Sequence, residues 1–159
     1  MTRCLTFLSA CLALMLLGAA SVRAQQASAF EPKAPQIYLV EASTGTVLYA
    51  RGEDEPMPPA SLVKLMTAEY VFHELKSGRL REDTEFKVSE YAWRTGGALS
   101  RTSTMFAALN SGIRVIDLLQ GVVVQLANDG CIILAEGLAG SEQKFAELLT
   151  ARAREIGLE

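Results

Sequence analysis

An uncharged apolar run from Cys4 to Ala20 is the feature that most limits what this chain can fold into. Arg3 precedes the run, and Val22-Arg23-Ala24 follows it with the small residues that signal peptidases prefer before a cut. About 17 apolar residues are at the short end for a membrane span. We therefore predict a secretory signal peptide over residues 1–24, cleaved after Ala24, with a retained membrane anchor as the alternative.

The chain that remains after cleavage is acidic. The sequence holds 15 basic and 18 acidic side chains, for a formal charge of −3, and loss of Arg3 and Arg23 makes this −5. Proteins that bind nucleic acid through phosphate contacts need a basic face, so we expect no nucleic-acid partner. We expect a periplasmic or extracytoplasmic protein whose only membrane contact is through its signal peptide.

The cysteines and histidine argue against disulfides and metals. Cys4 and Cys11 leave with the signal peptide, so Cys131 is the one thiol of the mature sequence. It precedes Ile132-Ile133-Leu134, where a small buried side chain is its expected role. His73 is the only histidine and has no second histidine or cysteine to join it, so we predict no metal and no cofactor.

The sequence after the signal peptide begins with a tail and a hairpin. Residues 25–35 are small and polar with two prolines, and we predict an N-terminal tail there. Two runs rich in Ile, Tyr, Leu and Val, residues 36–40 and 46–50, flank a turn that contains Gly45, which predicts a β-hairpin. The acidic stretch 52–59 carries three prolines and is predicted to be a loop.

Helical spacing of apolar residues dominates the rest. We predict a first helix from Ser61 to about Ser77, closed by Gly78, and then loops with at most short helices over residues 79–112. Two strongly apolar helices follow, with Asn128 and Asp129 expected between them at the rim of a cleft. The predicted later helices span residues 117–126, 131–138 and 142–156, the last with Ser141 as its cap.

A serine and a lysine stand three residues apart where the first helix begins, in Pro58-Pro59-Ala60-Ser61-Leu62-Val63-Lys64. Such positions share a helix face, so the Lys64 amine can reach the Ser61 hydroxyl. A serine hydroxyl is a weak nucleophile until a base takes its proton, and an amine partly removed from water can be that base. The spacing alone is common, and by itself it favours a helix cap at Ser61 and a surface charge at Lys64.

The wider context of this motif resembles a known family. The string 58–75, followed by Gln125-Leu126-Ala127-Asn128-Asp129, is similar to the serine D-alanyl-D-alanine carboxypeptidases, the low-molecular-mass penicillin-binding proteins. The segments 38–49, 88–97 and 151–158 fit the same family in the same order. In that family the motif serine is acylated by a peptidoglycan pentapeptide stem, the terminal D-alanine is released, and β-lactams act as covalent inhibitors.

The resemblance implies roles for individual residues. Ser61 would be the acyl-ester nucleophile, and its backbone N–H would form half of the oxyanion hole. Lys64 would be the general base, and Asn128 would bind the peptide amides of the substrate. The family's asparagine motif is Ser-x-Asn, whereas position 126 is Leu126 here, so the hydroxyl that takes part in proton transfer to the leaving group is replaced by a group that cannot carry a proton.

The implied fold is α/β of mixed type, β-lactamase/transpeptidase-like, with helices packed on a small antiparallel sheet. Residues 36–159 would form a partial catalytic domain in which the hairpin supplies two of five strands and the C-terminal half is missing. The family's third motif, Lys-Thr-Gly, occurs nowhere in this sequence. Loss of one oxyanion donor typically costs about 10²–10³ in turnover, so we expect impaired activity.

Two alternatives remain open. A class A β-lactamase shares the serine–lysine spacing, but it has an aspartate where this chain has Ala127, and its deacylation glutamate region has no match here. A non-catalytic remnant that binds peptidoglycan or a partner protein is favoured by Leu126 and by the missing Lys-Thr-Gly. The intact pair Ser61 and Lys64 favours the enzyme.

Overall fold

The computed structural model describes residues 31–158. The predicted signal peptide and residues 25–30 of the predicted tail lie outside this range. The described chain forms two compact units, of which the first ends at Pro56 and the second begins at Met57. No helix within residues 31–158 is long and apolar enough to cross a membrane.

A β-hairpin forms the first unit and confirms the prediction for this segment. Strands β1 (Ile37–Val40) and β2 (Val47–Arg51) are antiparallel, and Gly45 in the turn adopts a left-handed backbone with φ of 73°. The carboxylate of Glu41 accepts hydrogen bonds from the hydroxyl and backbone N–H of Thr44, at 2.6 and 2.7 Å. These and similar bonds from the same turn lower the pKa of Glu41 to about 2. The register pairs Ile37 with Arg51, Tyr38 with Ala50 and Leu39 with Tyr49.

The second unit is mainly helical and contains a second, smaller antiparallel pair of strands. Its elements in chain order are a 3₁₀ turn (Ala60–Leu62), α1 (Val63–Lys76), β3 (Glu85–Lys87), α2 (Glu90–Thr95), a second 3₁₀ turn (Ala98–Ser100), β4 (Gly112–Arg114), α3 (Val115–Gln125), α4 (Asn128–Ala139) and α5 (Glu142–Glu155).

The predicted long helices are confirmed, with small shifts at their ends. The predicted cap of α5 is present, because Ser141 Oγ accepts a hydrogen bond from the backbone N–H of Lys144 at 3.3 Å. Helix α4 starts three residues earlier than predicted, so that Asn128 and Asp129 lie in its first turn. The asparagine is therefore held by a helix and not by a free loop.

The prediction of loops and short helices for residues 79–112 missed one pair of strands. Strands β3 and β4 pair through three residues each, with Phe86 opposite Ile113, and both of these side chains pack on the core. Three residues are too few for an alternating apolar pattern to stand out in a sequence. The small antiparallel sheet that was predicted is therefore two separate two-stranded sheets, one in each unit.

Helix α4 lies at the centre of the core of the second unit. Its Ile133 and Leu134 are fully buried, as are Leu118 of α3 and Val71 of α1. Burial of each such side chain stabilises the fold by about 1.5–3 kcal/mol. Gly137 lets the ring of Phe86 lie directly against α4, because a Cβ at that position would overlap the ring.

Helix α5 is joined to α1 by a ring contact and an ion pair. The rings of Phe145 and Tyr70 meet edge to face with centroids 5.4 Å apart. The guanidinium of Arg152 donates to both carboxylate oxygens of Glu69 at 2.7 to 3.1 Å. These hydrogen bonds from Arg152 lower the pKa of Glu69. The two contacts hold α1, and with it the serine–lysine motif, in a fixed position against α5.

Candidate active site

Ser61 lies in the turn that leads from the proline loop into α1. The backbone N–H of Leu62 donates to the carbonyl of Pro59 at 2.9 Å, which closes a 3₁₀ turn. Ala60, directly before the serine, adopts a left-handed backbone with φ of 46°, which is costly for a residue with a Cβ. The sharp turn leaves Ser61 exposed at the surface of the unit.

Lys64 lies one turn further along, and its side chain is directed at this serine. Lys64 Nζ donates a hydrogen bond to Ser61 Oγ at 3.2 Å. The lysine is only 9% exposed, whereas lysines are almost never buried unless they are paired. The two groups that the sequence placed on one helix face therefore touch.

A cavity of about 500 Å³ opens on the Ser61 side of this pair. Apart from Ser61 and Lys64 its walls are apolar, and they come from the proline loop, α1 and the end of α3. The apolar lining includes Met57, Pro59, Leu65, Val122, Val123 and Leu126. A ligand that reached Ser61 from this side would therefore contact mostly hydrocarbon.

Leu126 forms part of that wall. It ends α3 in a left-handed conformation with φ of 53° and is 49% exposed. Its branched side chain lines the same cavity as Ser61 and Lys64. A side chain at position 126 therefore faces the same cavity as the serine–lysine pair, and in this chain it offers no hydroxyl.

A second cavity, of about 450 Å³, also has Lys64 in its wall. Asn128 and Thr102 line it together with Lys64, and the walls also include Thr67, Thr95, Cys131 and Glu142. Asn128 Nδ2 donates to Thr102 Oγ1 at 2.8 Å, and its backbone N–H donates to the carbonyl of Ser103 at 2.8 Å. Ser61 and Asn128 thus line two adjoining cavities, and Lys64 forms part of the wall of both.

Asp129 does not lie at a cleft rim, and that expectation was wrong. It is fully buried, and its carboxylate accepts hydrogen bonds from the Thr104 hydroxyl and from the backbone N–H groups of Met105, Ala107 and Gly130 at 2.7 to 3.0 Å. Buried backbone donors must be paired, and this one side chain pairs three of them. Asp129 therefore fixes the loop before β4 to the first turn of α4.

Cys131 lines the second cavity, but its thiol is not activated as a nucleophile. Burial raises the pKa of its thiol to about 11, so the group is a neutral thiol at pH 7 and a weak nucleophile. Within residues 31–158 no group of three or more histidine, cysteine or carboxylate side chains lies close enough together to hold a metal ion.

The sequence did not reveal Thr102 as a residue of this region, nor that the carboxylate of Asp129 is buried against Thr104. Thr102 is 26 positions from Asn128, and Asp129 is 25 from Thr104. The one available signal was the run of polar residues from Ser100 to Thr104, which is also typical of an ordinary loop.

Comparison with known proteins assigns the family. Residues 22–159 match the model of the peptidase S11 family, which is described as D-alanyl-D-alanine carboxypeptidase. This chain belongs to that family, as its motifs predicted.

Individual relatives agree with this assignment. The chain is 38% identical over 121 residues to the D-alanyl-D-alanine carboxypeptidase DacC of Escherichia coli (strain K12), with 76% of this chain and 30% of that protein covered. It is similar to the crystal structure of the D-alanyl-D-alanine carboxypeptidase DacD from Francisella tularensis, with a TM-score of 0.70, 35% identity and coverage of 80% and 30%. For penicillin binding protein 5 from Haemophilus influenzae the TM-score is 0.70, with 31% identity and coverage of 81% and 38%.

These likenesses confirm the mixed α/β class and the fold of the penicillin-binding proteins. The chain spans about a third of the length of these relatives, with 30%, 30% and 38% covered.

Proposed function

We propose that this chain carries the nucleophile and base of a serine D-alanyl-D-alanine carboxypeptidase that removes the terminal D-alanine of a peptidoglycan stem peptide. The observation that carries the proposal is the 3.2 Å contact between Lys64 Nζ and Ser61 Oγ, made by a lysine that is only 9% exposed. The family membership supplies the substrate class.

The proposed chemistry has two steps. Ser61 Oγ attacks the carbonyl of the penultimate D-alanine while its proton passes to the amine of Lys64, and the terminal D-alanine leaves as an amine that takes up a proton. Water then attacks the resulting ester and frees Ser61. The backbone N–H of Ser61 serves as one donor to the oxyanion, and Asn128 hydrogen-bonds the substrate's peptide amides.

Labelling with a fluorescent penicillin tests the proposal. We expect covalent label on the purified chain and its loss in Ser61→Ala, whereas Ser77→Ala, at the far end of α1, labels normally. Lys64→Met removes the base but keeps most of the buried stem, so labelling is expected to slow by at least about 100-fold. Lys76→Met, an exposed lysine on the same helix, is its matched control.

Absence of label at every penicillin concentration, in a chain shown to be folded by circular dichroism, would overturn the enzymatic proposal. It would favour the second candidate, a non-catalytic protein that binds peptidoglycan or a partner. The observations that favour this candidate are the apolar Leu126 in the cavity that Ser61 lines and the separation of Ser61 and Asn128 into two cavities.

We also infer that the protein is exported and acts outside the cytoplasm after cleavage near Ala24. The apolar run and the cleavage pattern of residues 1–24 support this inference. The intact mass of the protein purified from its own cells tests it, because a mature chain would begin at Gln25.

Replacement of Leu126 by serine is expected to speed labelling by at least about tenfold, because a hydroxyl at this position can pass a proton to the leaving nitrogen. Leu126→Ala is the matched control, since it removes the same apolar side chain and adds no hydroxyl. The rates of both variants are measured as fluorescent label formed against time. Equal rates for Leu126→Ser and Leu126→Ala would show that the missing hydroxyl does not limit the reaction.

A further inference from the structure

Asn128, which lines the second cavity, is joined to a short relay of two hydroxyl groups, those of Thr102 and Ser100. Asn128 Nδ2 donates to Thr102 Oγ1 at 2.8 Å, and Thr102 Oγ1 lies 2.7 Å from Ser100 Oγ. Ser100 Oγ donates to the backbone carbonyl of Gly97 at 2.7 Å. The relay therefore links the side chain of Asn128 to the backbone carbonyl of Gly97.

The direction of every hydrogen bond in this relay follows from the number of protons available. A serine hydroxyl has one proton, and that of Ser100 goes to the carbonyl of Gly97. Ser100 Oγ also accepts from the backbone N–H of Thr102 at 3.2 Å. Ser100 therefore has no proton left for Thr102, and the Thr102 hydroxyl must donate to Ser100. Toward Asn128, Thr102 Oγ1 is an acceptor only.

This direction fixes the orientation of the Asn128 amide. An asparagine side chain has an oxygen end and an NH₂ end of nearly equal size, and its hydrogen-bond partners decide which end points where. An acceptor at Thr102 selects the NH₂ end. The oxygen Oδ1 is left on the other side of the amide, and no group within residues 31–158 hydrogen-bonds to it. One N–H of the amide is free as well.

The backbone bends sharply between Ser100 and Thr102, the two residues of the relay. Arg101, between Ser100 and Thr102, has a left-handed conformation with φ of 56°. The bend brings both the N–H and the hydroxyl of Thr102 onto the single oxygen of Ser100. This conformation costs a non-glycine residue free energy, which indicates that the surrounding contacts hold Arg101 in place.

We propose that Thr102 is a positioning residue that holds the Asn128 amide in one orientation, and that Ser100 sets the direction of the hydrogen bond by which it does so. Asn128 then presents one acceptor, Oδ1, and one donor, its second N–H, to a ligand that carries a peptide amide. This inference rests on the proposed function, in which Asn128 binds the amides of the substrate.

Three variants separate positioning from simple packing. Thr102→Val keeps the shape and loses the acceptor, so the labelling rate at limiting penicillin is expected to fall by about five- to tenfold. Thr102→Ser keeps the hydroxyl and should label within about twofold of the natural chain. Ser100→Ala changes a residue that makes no hydrogen bond to Asn128. It frees the Thr102 hydroxyl to donate, so that either end of the Asn128 amide can pair with it. The labelling rate should therefore fall to a value between those of the natural chain and Thr102→Val. Ser111→Ala, which removes another loop hydroxyl bonded to a backbone carbonyl, is the matched control.

A second measurement does not depend on activity. The side-chain NH₂ of Asn128, identified in ¹⁵N NMR spectra by its loss in Asn128→Asp, should show one slowly exchanging proton in the natural chain and in Thr102→Ser, and two rapidly exchanging protons in Thr102→Val. If the natural chain takes no label, the proposed function fails and the exchange measurement alone decides on Thr102. Unchanged exchange in Thr102→Val, or an unchanged rate in a chain that does label, would overturn the inference.

Discussion

Asp129→Ala is expected to lower the free energy of unfolding by about 3–5 kcal/mol, because it removes the carboxylate that four donors share inside the core. The residue is fully buried, so water cannot replace the lost acceptor without entering the core. The backbone N–H groups of Met105 and Ala107 would be left unpaired. Urea unfolding followed by circular dichroism measures the change.

A graded series makes this prediction sharper. In Asp129→Asn the new NH₂ can donate to the Thr104 hydroxyl oxygen, but it then opposes the N–H of Ala107, so the expected loss is about 1–3 kcal/mol. Asp117→Ala, which removes an exposed partner of Arg114, should cost less than about 1 kcal/mol and serves as the control. A loss for Asp129→Ala no larger than that of Asp117→Ala would contradict the role assigned to the buried carboxylate.

Gly96→Ala is expected to cost about 2–3 kcal/mol and to disturb the position of Asn128 as well. The backbone of Gly96 has an ordinary negative φ of −107°, so conformational freedom is not the reason for a glycine here. The reason is space, since an added Cβ would lie 2.5 Å from the backbone nitrogen of Asp129 and 2.8 Å from the carbonyl carbon of Asn128. The first turn of α4 would have to move away from α2.

Gly112→Ala is a suitable control for this substitution. The nearest atom to its added Cβ is Oε2 of Glu85, at 2.7 Å, and that exposed side chain can rotate away. We expect Gly112→Ala to unfold at nearly the same urea concentration as the natural chain, and Gly96→Ala to unfold earlier and to take label more slowly. Equal stability of the two variants would show that α4 yields easily at its first turn.

The helices of this protein were predictable, whereas the contacts that shape the candidate site were not. The cap residue Ser141 predicts helix α5, and long apolar runs predict α3 and α4. The serine–lysine pair was also predictable, because its spacing is local to one helical turn. Periodicity and caps act over a few residues, and so a sequence displays them directly.

The left-handed backbone conformations at the site could not be predicted from the sequence. Ala60, Arg101 and Leu126 all have positive φ and adjoin Ser61, Thr102 and the start of α4, yet none is a glycine or an asparagine. The burial of Asp129 and the relay through Thr102 depend on segments about 25 residues apart in sequence, as the hydrogen bonds at separations of 25 and 26 show. Only the packed structure brings those segments together.

Lys64 lines both cavities, so molecules bound in the two of them would share this residue. A molecule bound in either cavity would change the hydration of this one amine, because Lys64 lines both. If a molecule in one cavity changes the affinity of the other cavity, the coupling free energy is the same in both directions. The amine of Lys64 would then link the two cavities as well as serve as the base of the proposed reaction.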